Sequence, residues 1–354
     1  MRRAGGTRSS STRRRIGCAL VVALVAIGLA ACGDAGRRDA APAGGTTPGA
    51  PAGLPKLAIV YSPQFRDGSW GEAALSGAQK LKDAGVISAF ASQENVNPGA
   101  DAQRALRSFA EQGYNPIIAH SFNYGDDIKK VAVDFPHTIF AYAGGFGDVS
   151  ANVADYAQPF YQATYLEGIL AAGATTGGAV AGAGGFDIPV CRAMFNAYLD
   201  GAKLVRPQTT GTFVAVGDWS DVQKAKEAAL AQADQGATMF VGCGQGPTFG
   251  QIQAAAERHG VASGYSGDMS SLSPSVVSSF TWNLDKVFAQ MVADVAAGKT
   301  NPTRYFQVGM AEGGMAVVIS PAWQSKIPAP VMATYQQKLA EVSSGAFTVR
   351  YADK

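Results

Sequence analysis

From Lys56 onward, short apolar runs alternate with helical spacings, a pattern that predicts β-α units building parallel sheets. The first strand reads Leu57-Ala58-Ile59-Val60-Tyr61, and a helix follows from about Ser69 with Trp70, Ala74, Gly77 and Leu81 three or four apart on one face. A helix near Asp101 to Gln112, a strand from Pro116 to Ala119, a helix with Ile128, Val131 and Phe135, and a strand from Thr138 to Tyr142 come next. A second series begins with an Ala-rich helix from Pro159 to Ala172, followed by the strand Ala179 to Ala181 and a helix near Val190 to Val205. The strand Thr212 to Val216, the helix Asp221 to Gln235, the strand Thr238 to Val241 and the helix Phe249 to His259 complete it. Two similar halves predict two lobes with a cleft between them. In open α/β sheets ligands bind beyond the carboxyl ends of the strands, so function is expected in the strand-to-helix loops.

The first 31 residues interrupt this pattern. Six arginines (Arg2, Arg3, Arg8, Arg13, Arg14, Arg15) and no acid accompany an apolar run from Ile16 to Ala31. The run is shorter than the roughly 20 apolar residues of a membrane span and reads as the h-region of a signal peptide over residues 1–31. It ends in Leu29-Ala30-Ala31-Cys32-Gly33, which resembles the bacterial lipobox, so cleavage before Cys32 and a lipid such as palmitate on its thiol are expected. Arg13-Arg14-Arg15 leaves general and twin-arginine export both open. Residues 32–55 are mostly small residues and Pro, too poor in large apolar side chains to fold, and form a flexible tether. Everything after Cys32 is then extracytoplasmic and held at the cell membrane.

Losing the signal peptide takes the formal net charge from +2 to −4, which disfavours nucleic acid as a partner. The folded body, about 300 residues, is long enough for two domains. Its cysteines are Cys191 and Cys243, which could pair in an oxidising compartment or remain buried thiols; both alternatives stay open.

Candidate chemistry is sparse on the catalytic side. The three histidines, His120, His137 and His259, have no metal-ligand spacing and accompany no Gly-x-Ser-x-Gly elbow, so neither an enzyme, a metal nor a cofactor is expected. His120, at a strand end, could line the cleft, but packing is the first expectation. The glycines of Gly182-Ala183-Gly184-Gly185 and Gly244-Gln245-Gly246-Pro247-Thr248-Phe249-Gly250 are read as tight turns with close backbone approach, not as a dinucleotide site. Aromatic and acidic side chains instead gather at strand ends: Asp67 and Trp70, Phe122 and Tyr124, Tyr142, Phe186 and Asp187, Trp219, Asp268, Trp282 and Asn283. Such walls suit a flat ring, with carboxylates and an amide fixing its polar edge.

Several stretches together resemble the basic membrane protein family of bacterial lipoproteins, substrate-binding components of ABC importers whose members bind purine nucleosides or bases. They are Asp67-Gly68-Ser69-Trp70-Gly71, Glu94-Asn95-Val96, Phe109-Ala110-Glu111-Gln112-Gly113-Tyr114, Asn152-Val153-Ala154, Lys224-Ala225-Lys226-Glu227-Ala228-Ala229 and Gly264-Tyr265-Ser266-Gly267-Asp268-Met269-Ser270. The resemblance runs from about Lys56 to about Val317. It implies that Asp67 and Trp70 form the first binding loop with Trp70 stacking on the base, that Phe122 and Asp268 are further contacts, and that Trp282-Asn283 cross the hinge. Two departures, Ala143-Gly144-Gly145 where nucleoside binders carry an acid and Ser266 in place of the first acid of an Asp-Ser-Asp pattern, favour a free base or another flat heterocycle over a ribose-gripping site.

The expected architecture is therefore an α/β, type I periplasmic-binding-protein fold: two doubly wound parallel-sheet lobes joined by a hinge. Residues 56–155 with 279–300 make the N-terminal lobe, and 156–278 with 301–345 the C-terminal lobe. The expected ligand-binding set is Asp67, Trp70, Phe122, Tyr142, Phe186, Asp187, Trp219, Asp268, Trp282 and Asn283. The protein is expected to be a monomer that captures a purine base or nucleoside and delivers it to ABC permease and ATPase subunits. The alternatives are a ligand-sensing lipoprotein of the same fold signalling to a membrane receptor, another heterocycle or a sugar in the cleft, and a nucleoside hydrolase, for which Asp67 alone supplies no metal-binding aspartate cluster.

Overall fold

The computed structural model describes residues 53–301 and 304–354, so the expected signal peptide, Cys32 and the tether up to residue 52 lie outside the described residues. The first lobe is built on a parallel sheet of strands β1 (Lys56–Val60), β2 (Ala89–Gln93), β3 (Ile117–Ala119), β4 (Phe140–Tyr142), β5 (Val153–Tyr156) and β11 (Tyr305–Phe306) in the order β11-β5-β4-β3-β1-β2. The second uses β6 (Ala179–Gly184), β7 (Gly211–Ala215), β8 (Ala237–Cys243), β9 (Val261–Gly264), β10 (Val276–Trp282) and β12 (Met315–Ile319) in the order β12-β10-β9-β8-β6-β7. Only β12, against β10, runs antiparallel in it. This is the expected two-lobe α/β architecture, and the same doubly wound order appears twice.

Burial explains why these runs become central strands. Leu57 to Val60 in β1 and Ile117 to Ala119 in β3 are fully buried, apolar on both faces, as helices on both sides of a parallel sheet require. On α1 (Trp70–Asp83), Ala74, Ala78 and Leu81 form the buried stripe that the periodicity predicts. Helix α4 (Tyr161–Ala174) is buried nearly all round, from Ala163 to Ala172, because it lies inside the second lobe against α5 (Pro189–Val205) and α9 (Ala329–Ser343). Its contact with α5 is backbone-close: a methyl group at Gly168 would lie 2.0 Å from the Tyr198 carbonyl oxygen, and one at Gly201 would lie 1.9 Å from that of Tyr165.

The chain passes between the lobes along the segments after β5, β10 and β11. Strand β10 stays in the second sheet through Trp282, beyond Ser279, where the sequence reading had the chain return. Helix α8 (Leu284–Ala296) then packs on α1, and β11 pairs with β5 in the first sheet although it falls within the span assigned from sequence to the second lobe. At the crossing, Asn283 donates from its backbone N–H to Gly314 O at 2.8 Å and from Nδ2 to Gly313 O at 3.0 Å, tying two crossing segments together.

Candidate functional site

In each sheet the strand order reverses at one place, between β1 and β3 in the first lobe and between β6 and β8 in the second. A doubly wound sheet has its crevice there, because neighbouring loops leave in opposite directions. The two crevices face each other. A cavity of about 300 Å³ lies between them, lined from the first lobe by Tyr61, Ser62, Pro63, Trp70, Ser121, Phe122 and Asn123. The second lobe contributes Phe186, Ile188 and Val190 after β6, Asp218 to Ser220 after β7, Cys243 to Gln245 at the end of β8, and Tyr265 after β9; Gln158 enters from the crossover.

Trp70 is held from behind. Its indole stacks on His120, ring centroids 5.0 Å apart, and leans on Trp282 at 4.8 Å. Trp70 Nε1 donates to His120 O at 3.2 Å, while His120 Nε2 bonds Trp70 O at 2.9 Å and Nδ1 bonds the Tyr156 hydroxyl at 2.7 Å. A carbonyl only accepts, so the proton of His120 sits on Nε2 and Nδ1 accepts from Tyr156. Burial pushes this imidazole down to about 4, which keeps it neutral. His120 is fully buried and does not line the cavity: it is packing for Trp70, as the first expectation had it.

Trp219 is seated differently. A methyl group at Gly185 would meet its Cε3 at 2.2 Å and one at Gly244 would meet the same carbon at 2.6 Å, so the six-membered ring lies directly on two glycine backbones. Gly185 and Gly244, one from each glycine-rich loop of the second lobe, thus permit close approach of an indole. Phe186 meets Trp219 edge-on at 5.3 Å, and Phe122 does so from the first lobe at 6.0 Å. Trp219 Nε1 is buried with no acceptor among the described residues.

Of the expected ligand contacts, Trp70, Phe122, Phe186 and Trp219 line the cavity. The other six do not, and each has another partner. The Asp67 carboxylate accepts from the backbone N–H groups of Ser69, Gly71 and Glu72, capping the start of α1; burial raises its pKa while those N–H groups oppose the rise. Tyr142 donates to Asp148 O, and Asp187 is paired with Arg192 on an exposed loop. Asp268 accepts from Ser270 N–H and is exposed. Trp282 is buried behind Trp70, and Asn283 serves the crossing.

The glycines after the strand ending at Tyr142 have an internal use. Asp155 is fully buried, and its carboxylate accepts from the N–H groups of Gly144, Gly145, Phe146 and Gly147 at 2.8 to 3.0 Å. A side chain at Gly144 would collide with it, Cβ to Oδ1 at 2.8 Å.

The polar lining that sequence reasoning missed is mostly neutral: Ser62, Ser121, Asn123, Gln158, Ser220 and Gln245. Gln158 donates from Nε2 to Ala143 O at 2.8 Å, which fixes its carboxamide against the loop after β4. Among the lining residues Asp218 alone carries a charge, and its Oδ1 already accepts from Ser220 and Asp221 N–H. Tyr265 and Gln245 lay inside motifs already singled out; Gln158 sits in a crossover with no local signal.

The lobes touch across the cleft. Ser69 Oγ donates to Tyr265 O at 2.8 Å, Gln245 Nε2 donates to Asp67 O at 2.9 Å, and Cβ at Gly267 would lie 2.6 Å from Gly68 O. The cysteines left open by the sequence are joined: Cys191 and Cys243 form a disulfide, with Cα atoms 5.4 Å apart.

A family model described as Bmp, ABC transporter substrate-binding protein PnrA-like, matches residues 54–344. A purine-binding protein of Brucella abortus is 32% identical over 181 residues, covering 51% of this chain and 51% of that protein. A putative ABC transporter glucose-binding protein of Haloferax volcanii is 28% identical over 212 residues, covering 60% of this chain and 53% of that protein. The chain thus spans about half the length of these two curated relatives. Among solved structures, an ABC transporter solute-binding protein from Conexibacter woesei aligns with a TM-score of 0.67 and 24% identity, covering 84% of this chain and 99% of that one, and shares its fold.

Proposed function

The chain belongs to the PnrA-like family of ABC transporter substrate-binding proteins, and we propose that its cleft captures a purine base or nucleoside for an importer's permease and ATPase subunits. The observation that carries this is the pairing of aromatic walls from both lobes, Trp70 and Phe122 against Trp219 and Phe186, around neutral hydroxyls and carboxamides. Flat rings gain from stacking on such walls, and amides match the alternating donors and acceptors of a heterocycle's edge. Among the described residues no lysine or arginine lines the cavity, which argues against phosphorylated ligands. Its volume, about 300 Å³, is at the small end of ligand pockets and suits one base or nucleoside rather than an oligosaccharide. The purine-binding name of the Brucella relative points the same way.

In this function Trp70 stacks on the ring, and Asp67, Tyr142, Asp187, Asp268, Trp282 and Asn283 act by shaping the loops and the crossing. The protein works as a monomer, anchored through lipid on Cys32 outside the cytoplasm, with the two lobes as distinct units moving about the crossing segments.

A second reading is favoured by the glucose-binding name of the Haloferax relative: a sugar could stack on the same rings. Calorimetric titration of the full chain with hypoxanthine, inosine and glucose separates the two. Binding of either purine and none of glucose is expected, with a thermal stabilisation of about 2.7 kcal/mol at a hundredfold excess over Kd. Heat from glucose alone would reject the purine assignment while leaving the cleft as the site.

A further inference from the structure

We infer that the Cys191–Cys243 disulfide is a positioning element of the cleft, which locks the aromatic wall that the second lobe presents. Cys243 lines the cavity at the end of β8 and is followed directly by Gly244, one of the two glycines under Trp219. Cys191 is in the first turn of α5, at the far end of the short loop that carries Gly185, the other glycine, and Phe186, the edge-on neighbour of the indole. The disulfide therefore ties together the two backbone segments on which Trp219 rests.

Without it that seat depends on backbone hydrogen bonds at the strand ends. Helix α5 begins with no side-chain cap, and Phe186 and Asp187 in the loop are exposed. Strands β6 and β8 are paired as far as Gly184 and Cys243, and just beyond that pairing the bond from Gly185 N–H to Cys243 O is a long 3.3 Å. The loop that carries Trp219 is tied to both sides, by Gly217 N–H donating to Gly185 O at 2.7 Å and by Gly246 N–H donating to the Trp219 carbonyl at 2.9 Å. If the β6–α5 loop moves away from β8, Gly185 draws Gly217 with it while Gly244 and Gly246 stay, and the indole is pulled between its two seats. Both cysteines are buried, and Cys243 sits where the core of the second lobe meets the cavity. Opening the bond should thus disturb the wall before the fold. A wall locked in advance spares a ligand the cost of ordering it.

The test uses the full chain with 5-fluorotryptophan at its four tryptophans, the Trp219 resonance being assigned by Trp219→Phe. Fluorine NMR is recorded oxidised, then after reduction by a phosphine with a count of free thiols, and on the Cys191→Ala/Cys243→Ala variant. One narrow Trp219 line should broaden or split on opening the disulfide and recover on reoxidation, with Trp70, Trp282 and Trp323 unmoved. An unchanged Trp219 line with two additional free thiols overturns the inference, as does equal disturbance of all four tryptophans. Because the reduced wild type needs no substitution, failure of the double variant to fold leaves the test intact.

If, as proposed above, the cleft takes purines, opening the disulfide should weaken inosine and hypoxanthine binding about tenfold or more in the wild type. The same change should add little in a Trp219→Ala background, because both act through one wall. Additive losses, or equal affinity with the bond open, also overturn it. Absence of any purine binding by the oxidised wild type instead rejects the ligand assignment, and the fluorine spectra still decide the role of the disulfide.

Discussion

Trp70 and His120 hold each other by two hydrogen bonds and a stack, so the wall they make is set by burial as much as by the ligand. Trp70→Ala should weaken inosine binding by about 1 to 3 kcal/mol, the worth of one base-aromatic stack, measured by calorimetry. Unchanged affinity would take Trp70 out of the site. His120 carries a pH signature. Its pKa is lowered from 6.5 to about 4 in the fold, so an unfolded chain takes up a proton that the folded one refuses. The stability this gives is complete above pH 6.5 and is lost as pH falls toward 4, about 3 kcal/mol over that window. His120→Gln keeps a donor for Trp70 O and an acceptor for Tyr156 but cannot titrate. Urea unfolding from pH 7 to 4 should show the variant losing less stability than the wild type; parallel curves would contradict the assignment. Trp70 was legible from its place at the head of an amphipathic helix. The support given by His120 was not, because it depends on Tyr156 and Trp282, distant in sequence.

Elements whose apolar spacing is regular were legible, and those interrupted by a working residue were not. Strand β5 contains Asp155, which looks wrong in a buried strand until the four N–H groups around its carboxylate are known. Edge strand β2 is only partly buried, and its short apolar content gives no run to read. Helix α7 (Gln245–Glu257) starts four residues before the predicted Phe249, since Gly246 and Pro247 mask its first turn. Proline is tolerated there because first-turn N–H groups have no helical acceptor. The α4–α5 contact is the clearest case of small residues chosen for approach. Gly168→Ala should lower the free energy of unfolding by about 1 to 3 kcal/mol or more through overpacking, in chemical denaturation, whereas helix propensity alone predicts a gain. A stabilised variant would mean that the two helices can part without cost.

For the molecule as a whole, Gly267 lies against Gly68 and Ser69 bonds Tyr265 across the cleft. A side chain at position 267 would prop the lobes apart, since Cβ would stand 2.6 Å from a backbone oxygen. Gly267→Val should therefore leave unfolding stability close to wild type, weaken inosine binding by about tenfold or more, and remove any ligand-induced fall in radius of gyration seen by small-angle scattering. Wild-type compaction with inosine in the variant would show that the two loops do not govern closure. The chain crosses after Trp282, not at Ser279, and the proposed closure would then pivot near Asn283 and Gly314.

The sequence by itself determined the class of fold, because alternation of buried strands and one-faced helices is a local pattern, and it marked four of the wall aromatics, because they follow strands. Only the tertiary structure decided which acids were free. Asp67 and Asp155 satisfy backbone N–H groups, Asp187 an arginine, and these partners are chosen by chain geometry rather than by spacing. The same holds for the Cys191–Cys243 bond and the seat of Trp219, where segments some fifty residues apart meet because neighbouring parallel strands end side by side.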